Sequence, residues 1–140
     1  MDDETARGLL ARAREARAAA YAPYSGFKVG AALLAADGRI FAGVNVENAS
    51  YGLTTCAERT AVVTAIAEGA RGFRAIAVAG PDDAASCPPC GSCRQILYEI
   101  DPSLAVVTSG ADGDPVVAPL RELLPGAFGP DQLQSRRESP

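Results

Sequence analysis

The sequence predicts an α/β fold, a three-layer α/β/α sandwich built on a mixed sheet of about five strands. Three observations predict it. The apolar stretch "FKVGAALLAADGRIFAGVNVEN" turns back on itself at Asp37-Gly38, a strong hairpin signal, so part of the sheet is antiparallel. Helical segments then alternate with short apolar strands, the pattern of crossover units with parallel pairing. Finally, 140 residues, 48% of them hydrophobic, make one domain-sized unit able to bury its own core.

Each element has its own signal. Residues 4–20 read as a helix with a shallow apolar face of Leu9, Leu10, Ala13, Ala16 and Ala20. Alanine supplies the propensity, and "YAPYSGF" ends the helix through Pro23 and Gly26. The hairpin follows, from Val29 to Ala35 and back from Ile40 to Val46. Residues 57–68 form the next helix, with Ala61, Val62, Ala65 and Ile66 inward and Gly69 as its stop. "FRAIAVAG" contains a strand over Ala75–Ala79, and "CGSCRQILYEI" a third helix that stops before Pro102. "LAVVTS" is another strand, "GDPVVAP" a short edge strand, and "LRELLPGAF" a helical turn or two. Residues 1–130 are read as a single catalytic domain and 131–140 as a polar, frayed tail.

Composition narrows the function. A formal net charge of −4 argues against long DNA or RNA as partner and suits a small neutral ligand. Four cysteines are too few for a disulfide-dense scaffold. "MDDETARGLLARAREARAAA" lacks the apolar core of a secretory signal, and no run approaches about eighteen strongly apolar residues, so a cytoplasmic location away from membranes is expected. Arg7, Arg12, Arg14 and Arg17 are read as a solvated helix face.

The chemistry concentrates in two clusters, "TCAER" at 55–59 and "CPPCGSC" at 87–93. Cys90 and Cys93 have C-x-x-C spacing, which suits either a metal knuckle or a redox dithiol. A helix beginning near Cys90 puts both thiols on one face at its positive end, where backbone amides favour thiolates. Cys56 stands at the start of the preceding helix, so three thiols can converge from two helix N-termini. Three protein ligands are the pattern of a catalytic zinc with an open position; Cys87 as fourth ligand would make the site structural instead. Pro88-Pro89 stiffens the chain between Cys87 and Cys90 and opposes that alternative.

Three thiolates would leave a bound Zn²⁺ with excess negative charge. Arg59, three residues beyond Cys56, can offset it by donating to sulfur, and Gln95 can donate similarly. Glu58 is two residues from Cys56, which in a regular helix is not the same face. It reaches a metal-activated water only if Cys56 sits at the irregular start of the helix or reaches round from its cap, and it can then act as proton shuttle.

"TCAER" and "PCGSCRQ", preceded by "YAPYSGFKVGAALL" and "GVNVENASYG", resemble the small homotetrameric zinc-dependent cytidine deaminases across roughly residues 18–128. The resemblance implies the cytidine deaminase-like α/β/α fold and one Zn²⁺ per subunit on Cys56, Cys90 and Cys93, with Glu58 as the proton shuttle. It places Phe27 near the base and Asn45 and Glu47 on the ribose hydroxyls. Ala57 lends a backbone N–H to the pyrimidine carbonyl. Tyr51 and Phe128 complete a neighbouring subunit's site, while Arg59 and Gln95 contact the ligand thiolates. Asn45 and Glu47 lie two apart at a strand exit and so point the same way, and an amide with a carboxylate suits paired hydroxyls.

The implied activity is hydrolytic deamination of cytidine and 2′-deoxycytidine in pyrimidine salvage, by a cytoplasmic homotetramer acting on free nucleosides. Soft thiolates and non-redox chemistry favour zinc over iron. Cys87 is read as a free thiol. The competing readings are a deaminase of an aminonucleoside such as blasticidin S, a nucleic-acid-editing deaminase, a structural zinc module that uses Cys87, and a thiol-redox protein.

Overall fold

Every residue of the strand Gly30–Ala35 (β1) is buried. A strand buried at consecutive positions must be covered on both faces, and its small side chains allow layers to close on it from either side. In this computed structural model, which describes residues 1–137 and side-chain surroundings through Leu133, those layers are helical.

The remaining strands are β2 (Ile40–Val44), β3 (Phe73–Ala79), β4 (Ala105–Ser109) and β5 (Pro115–Pro119), and the sheet order is β2-β1-β3-β4-β5. β1 is antiparallel to both β2 and β3, β3 is parallel to β4, and β4 is antiparallel to β5. The mixed five-stranded sheet and the hairpin at Asp37-Gly38 follow the sequence expectation. The helices are α1 (Asp3–Ala16), α2 (Ala57–Ala67), α3 (Gly91–Ile100), the single turn α4 (Leu120–Leu123) and α5 (Pro130–Arg137). The polar tail that was expected to fray thus carries a helix over Pro130–Arg137, while 138–140 lie outside the described residues.

Side-chain alternation along β1 assigns the layers. Ala32 and Leu34 face α1, meeting Ala6, Leu9, Leu10 and Ala13. Ala31, Leu33 and Ala35 face the opposite side, where Ala61, Val62 and Ala65 of α2 and Leu97 of α3 complete the core. The Asp2 side chain caps α1 by accepting from the Thr5 amide at 2.7 Å. Past Ala16 the helix tightens into a 3₁₀ turn at Arg17–Ala19 instead of running to residue 20.

The expected solvated arginine face on α1 needs correction. Arg7 and Arg12 are exposed, but the side chains of Arg14 and Arg17 are only 26% and 23% exposed. Arg14 donates to Ser109 Oγ and the Gly113 carbonyl at 2.9 and 2.8 Å. Arg17 donates to the Gly80 carbonyl at 2.7 Å and pairs with Asp83. The alanines beside them are too short to cover the sheet ends, so the long arginine stems do so and tie α1 to the loop after β3.

Two glycines set the layer spacing. A Cβ on Gly30 would lie 2.0 Å from the Ala13 carbonyl oxygen, and one on Gly43 would lie 2.2 Å from the Ala57 oxygen and 2.5 Å from the Ala61 nitrogen. Backbone therefore rests directly on backbone where α1 crosses β1 and where the first turn of α2 crosses β2. Gly43→Ala is expected to lower stability by about 1–3 kcal/mol, the range for overpacking a tight contact, as read by urea denaturation. Gly8→Ala has open space around its Cβ on exposed α1 and should raise stability by about 0.5–1 kcal/mol in the same assay.

Candidate active site and metal centre

α2 and α3 begin at the same end of the sheet, and a cysteine caps each of them. Cys56 is the N-cap of α2, with extended backbone at φ −71° and ψ 155°, and its thiol makes no capping hydrogen bond. Cys90 is the N-cap of α3, also extended at φ −65° and ψ 168°, and Cys93 lies in the first turn. The Sγ atoms of Cys56, Cys90 and Cys93 all lie within 4.8 Å of one another. Cys93 is buried, Cys56 partly so, and Cys90 is exposed.

This geometry resolves the reach of Glu58. Cys56 belongs to the extended segment and Glu58 to the helix, so the regular helical angle between i and i+2 does not apply. Glu58 is only 5% exposed and lines a cavity of about 190 Å³ together with Cys56, Cys90, Ala57, Asn45 and Cys87. Burial pushes its carboxyl above the usual range, against a backbone hydrogen bond, Cys93 and the Arg59 charge, which pull it down. Ala57 is the first residue of α2, so its N–H has no carbonyl one turn below and is available at the cavity.

The thiols differ in character. Burial raises Cys56 and Cys93, with neighbouring Glu58 and thiol charge adding to it. Burial also acts upward on Cys90, but hydrogen bonds from the Cys93 backbone and the neighbouring thiols bring it net downward. Only one thiol of the three is lowered, because burial dominates at the other two. A bound cation must displace protons from the buried pair, and thiolate donors are the soft ligands that zinc takes. Arg59 answers the resulting charge. Its Nε is buried without a hydrogen-bond partner, and its guanidinium is raised by a hydrogen bond to Cys93 and by the charge of Cys56, Cys93 and Cys90. Among the described residues the thiol cluster has three members, and Cys87 lines the cavity without joining it. That leaves the donor set of an open zinc site rather than of a closed structural one.

The strand exit supplies the next groups. Val46 is bridged to Tyr21 on one side and Thr55 on the other, with Tyr21 N to Asn45 O at 2.9 Å and Val46 N to Thr55 O at 2.9 Å. Thr60 Oγ1 donates to the Val44 carbonyl at 2.8 Å and fastens α2 to the same exit. Asn45 and Glu47 both turn to the loop 24–29. Asn45 Oδ1 accepts from the Val29 amide at 2.9 Å and Nδ2 donates to the Phe27 carbonyl at 2.8 Å. Glu47 accepts from the Tyr24 and Ser25 amides at 3.0 and 3.1 Å and from the Ser25 hydroxyl. Glu47, Tyr24, Ser25, Tyr51 and Thr54 line a second cavity of about 380 Å³, and Thr54 borders both.

Phe27 and Phe128 fall outside this pair of cavities, whereas Tyr51 lines the second. Phe27 is 52% exposed and lines a small adjoining hollow with Cys87 and Gly80. Tyr51 is 75% exposed and stands edge-on to Tyr24, ring centres 6.0 Å apart. Phe128 is 59% exposed and lines neither of these two cavities. Gln95 corrects the sequence reading. Its Nε2 donates to the Phe128 carbonyl at 2.8 Å instead of to a ligand sulfur, since two residues beyond Cys93 is the wrong face of α3. The sequence reading missed Ser25 and Arg94. Arg94 Nε donates to the Pro89 carbonyl at 2.8 Å and holds the approach to Cys90. A serine in a turn and an arginine after C-x-x-C carry no signal of such partners.

The family described as the cytidine and deoxycytidylate deaminase zinc-binding region matches residues 3–109. A cytidine deaminase of Halalkalibacterium halodurans is 50% identical over 126 residues, spanning 89% of this chain and 95% of that protein. One from Sporosarcina psychrophila is 45% identical over 131 residues, 93% and 96% of the two chains. The crystal structure of cytidine deaminase from Burkholderia pseudomallei superposes with a TM-score of 0.82 at 52% identity, over 87% of this chain and 98% of that one. Against this background, Cys90→Ala is expected to lower zinc content well below one per chain by elemental analysis. Cys87→Ala should leave that content unchanged.

Proposed function

Because the chain belongs to the zinc-dependent cytidine deaminase family, we propose that it hydrolyses cytidine and 2′-deoxycytidine to the corresponding uridines with release of ammonia. The observation that carries this reading is the burial of Glu58 in one cavity with Cys56, Cys90 and Asn45. A proton carrier, a metal-ligand set and a polar sugar-binding group then face the same small volume.

Cys56, Cys90 and Cys93 would hold one zinc ion per chain, which when bound would supply a Lewis acid that makes water nucleophilic at neutral pH. The chain's own residues do the rest. Glu58 takes a proton from the attacking water as oxygen bonds to C4, and delivers a proton to N3, giving a tetrahedral carbon. Glu58 next carries the remaining hydroxyl proton to the exocyclic nitrogen. The C4–N bond breaks, ammonia departs and a C4 carbonyl is left. The Ala57 N–H receives the pyrimidine carbonyl oxygen and orients the ring, which removes much of the association cost. Arg59 keeps the thiolate charge from accumulating.

Hydrogen-bond capacity at the sugar end supports acceptance of both sugars. Asn45 has one side-chain N–H left after Phe27, and Glu47 has about one acceptor position left after three donors. Together they suit a single hydroxyl that donates to Glu47 and accepts from Asn45. The second ribose hydroxyl is not needed. Exposed Tyr51 and Phe128 fit contacts across subunits of a homotetramer, where each would close a neighbour's site. No described helix is long and apolar enough to cross a membrane, in keeping with a cytoplasmic role in pyrimidine salvage.

Glu58→Gln keeps the shape and loses the proton carrier. Zinc content is expected to stay near one per chain while kcat for cytidine falls by about 10²–10⁴, the usual worth of general acid–base catalysis. Near-native turnover would remove Glu58 from the mechanism. For the parent protein, kcat/KM for cytidine and 2′-deoxycytidine should agree within about tenfold in a uridine-release assay, about one neutral hydrogen bond's worth.

A further inference from the structure

We propose that Ser25 is a positioning residue that presents Glu47 to the sugar and ties its carboxylate to the backbone of Phe27. The inference rests on the reading of Asn45 and Glu47 as the sugar-binding pair and adds a residue to it. Ser25 touches Glu47 twice, through its amide at 3.1 Å and through its hydroxyl, and the Tyr24 amide adds a third donor at 3.0 Å. The same hydroxyl oxygen accepts from the Phe27 amide at 2.9 Å. One side-chain atom therefore links the Glu47 carboxylate to the backbone of Phe27.

The local fold makes Ser25 available for this. Gly26 has φ +68°, in the left-handed region that favours glycine, and its amide closes a turn onto the Ala22 carbonyl at 2.9 Å. That turn aims the amides of Tyr24 and Ser25 at Glu47. The three donors hold the carboxylate below the usual range, with the Ser25 hydroxyl the leading cause. They also fix its rotation, so the remaining lone pair points to one place. Glu47 and Ser25 both border the 380 Å³ cavity, where that lone pair can meet a hydroxyl. Without the Ser25 hydroxyl, the carboxylate loses its side-chain donor and the Phe27 amide loses its acceptor.

The test measures kcat and KM on 2′-deoxycytidine and 2′,3′-dideoxycytidine, which differ only in the 3′-hydroxyl, with zinc content recorded for each protein. In the parent, removing that hydroxyl should raise KM by about tenfold or more, the worth of a hydrogen bond to a charged group. In Ser25→Ala, KM for 2′-deoxycytidine should rise by about tenfold with kcat within about twofold. The further penalty for removing the hydroxyl should shrink to about twofold. Ser25→Thr, which keeps the hydroxyl, should restore both values. The proposal is overturned if Ser25→Ala retains the full hydroxyl penalty, or if its loss falls on kcat or zinc content instead of KM. A parent indifferent to the hydroxyl would instead sink the sugar-pair reading itself, and the proposal with it.

Discussion

The close approach of α2 to β2 at Gly43 governs where the chemistry sits. Only a residue without a side chain lets the Ala57 oxygen and the Ala61 nitrogen come so near the strand. The first turn of α2 is thereby seated on the sheet, and that turn carries Cys56 at its cap, Ala57 at its first position and Glu58 at its second. The residues proposed as metal ligand, backbone donor and proton carrier are placed by one contact between main chains. Thr60, bonded to the Val44 carbonyl, closes the same joint from the helix side. α3 supplies the other two thiols from the end of the parallel pair β3 and β4, where Arg94 holds the incoming loop through Pro89.

Electrostatics then separate the groups by task. Burial alone disfavours every negative charge in this cavity, and it raises Glu58, Cys56 and Cys93 alike. For the thiols the cost is met by a cation, which holds them as ligands. Glu58 shares that burial and the same upward push. Glu47, outside the buried region, is pushed the opposite way by Ser25 and Tyr24 and stays an acceptor. Two glutamates eleven positions apart are thus shifted in opposite directions because their surroundings differ.

Much of this was legible in the sequence. Apolar periodicity located every strand and the first three helices, and the turn at Asp37-Gly38 announced the hairpin. The thiol spacing and the stretch around "TCAER" pointed to the metal cluster and to Glu58. What escaped notice depends on contacts between distant segments. The sequence offered an irregular helix start or a cap residue as the way Glu58 could share a space with Cys56, and the extended backbone of Cys56 at the N-cap decides between them. Arg14 and Arg17 read as solvated because a helical wheel does not show the loops after β3 and β4 lying against them. Gln95 read as a thiolate donor, although its helix phase turns it to Phe128. Ser25 carried no signal at all, because its role exists only once Glu47 folds over the turn.

The central claim is that the three-thiol cluster and Glu58 form a single hydrolytic site for the exocyclic amine of cytidine. It is tested most directly by following metal content and cytidine turnover in one preparation through chelation and zinc restoration. The account predicts one zinc per chain and equal release of uridine and ammonia, with activity and metal lost together and regained together. Turnover that persists in fully stripped protein, or stoichiometric zinc without any deamination of cytidine, would contradict it.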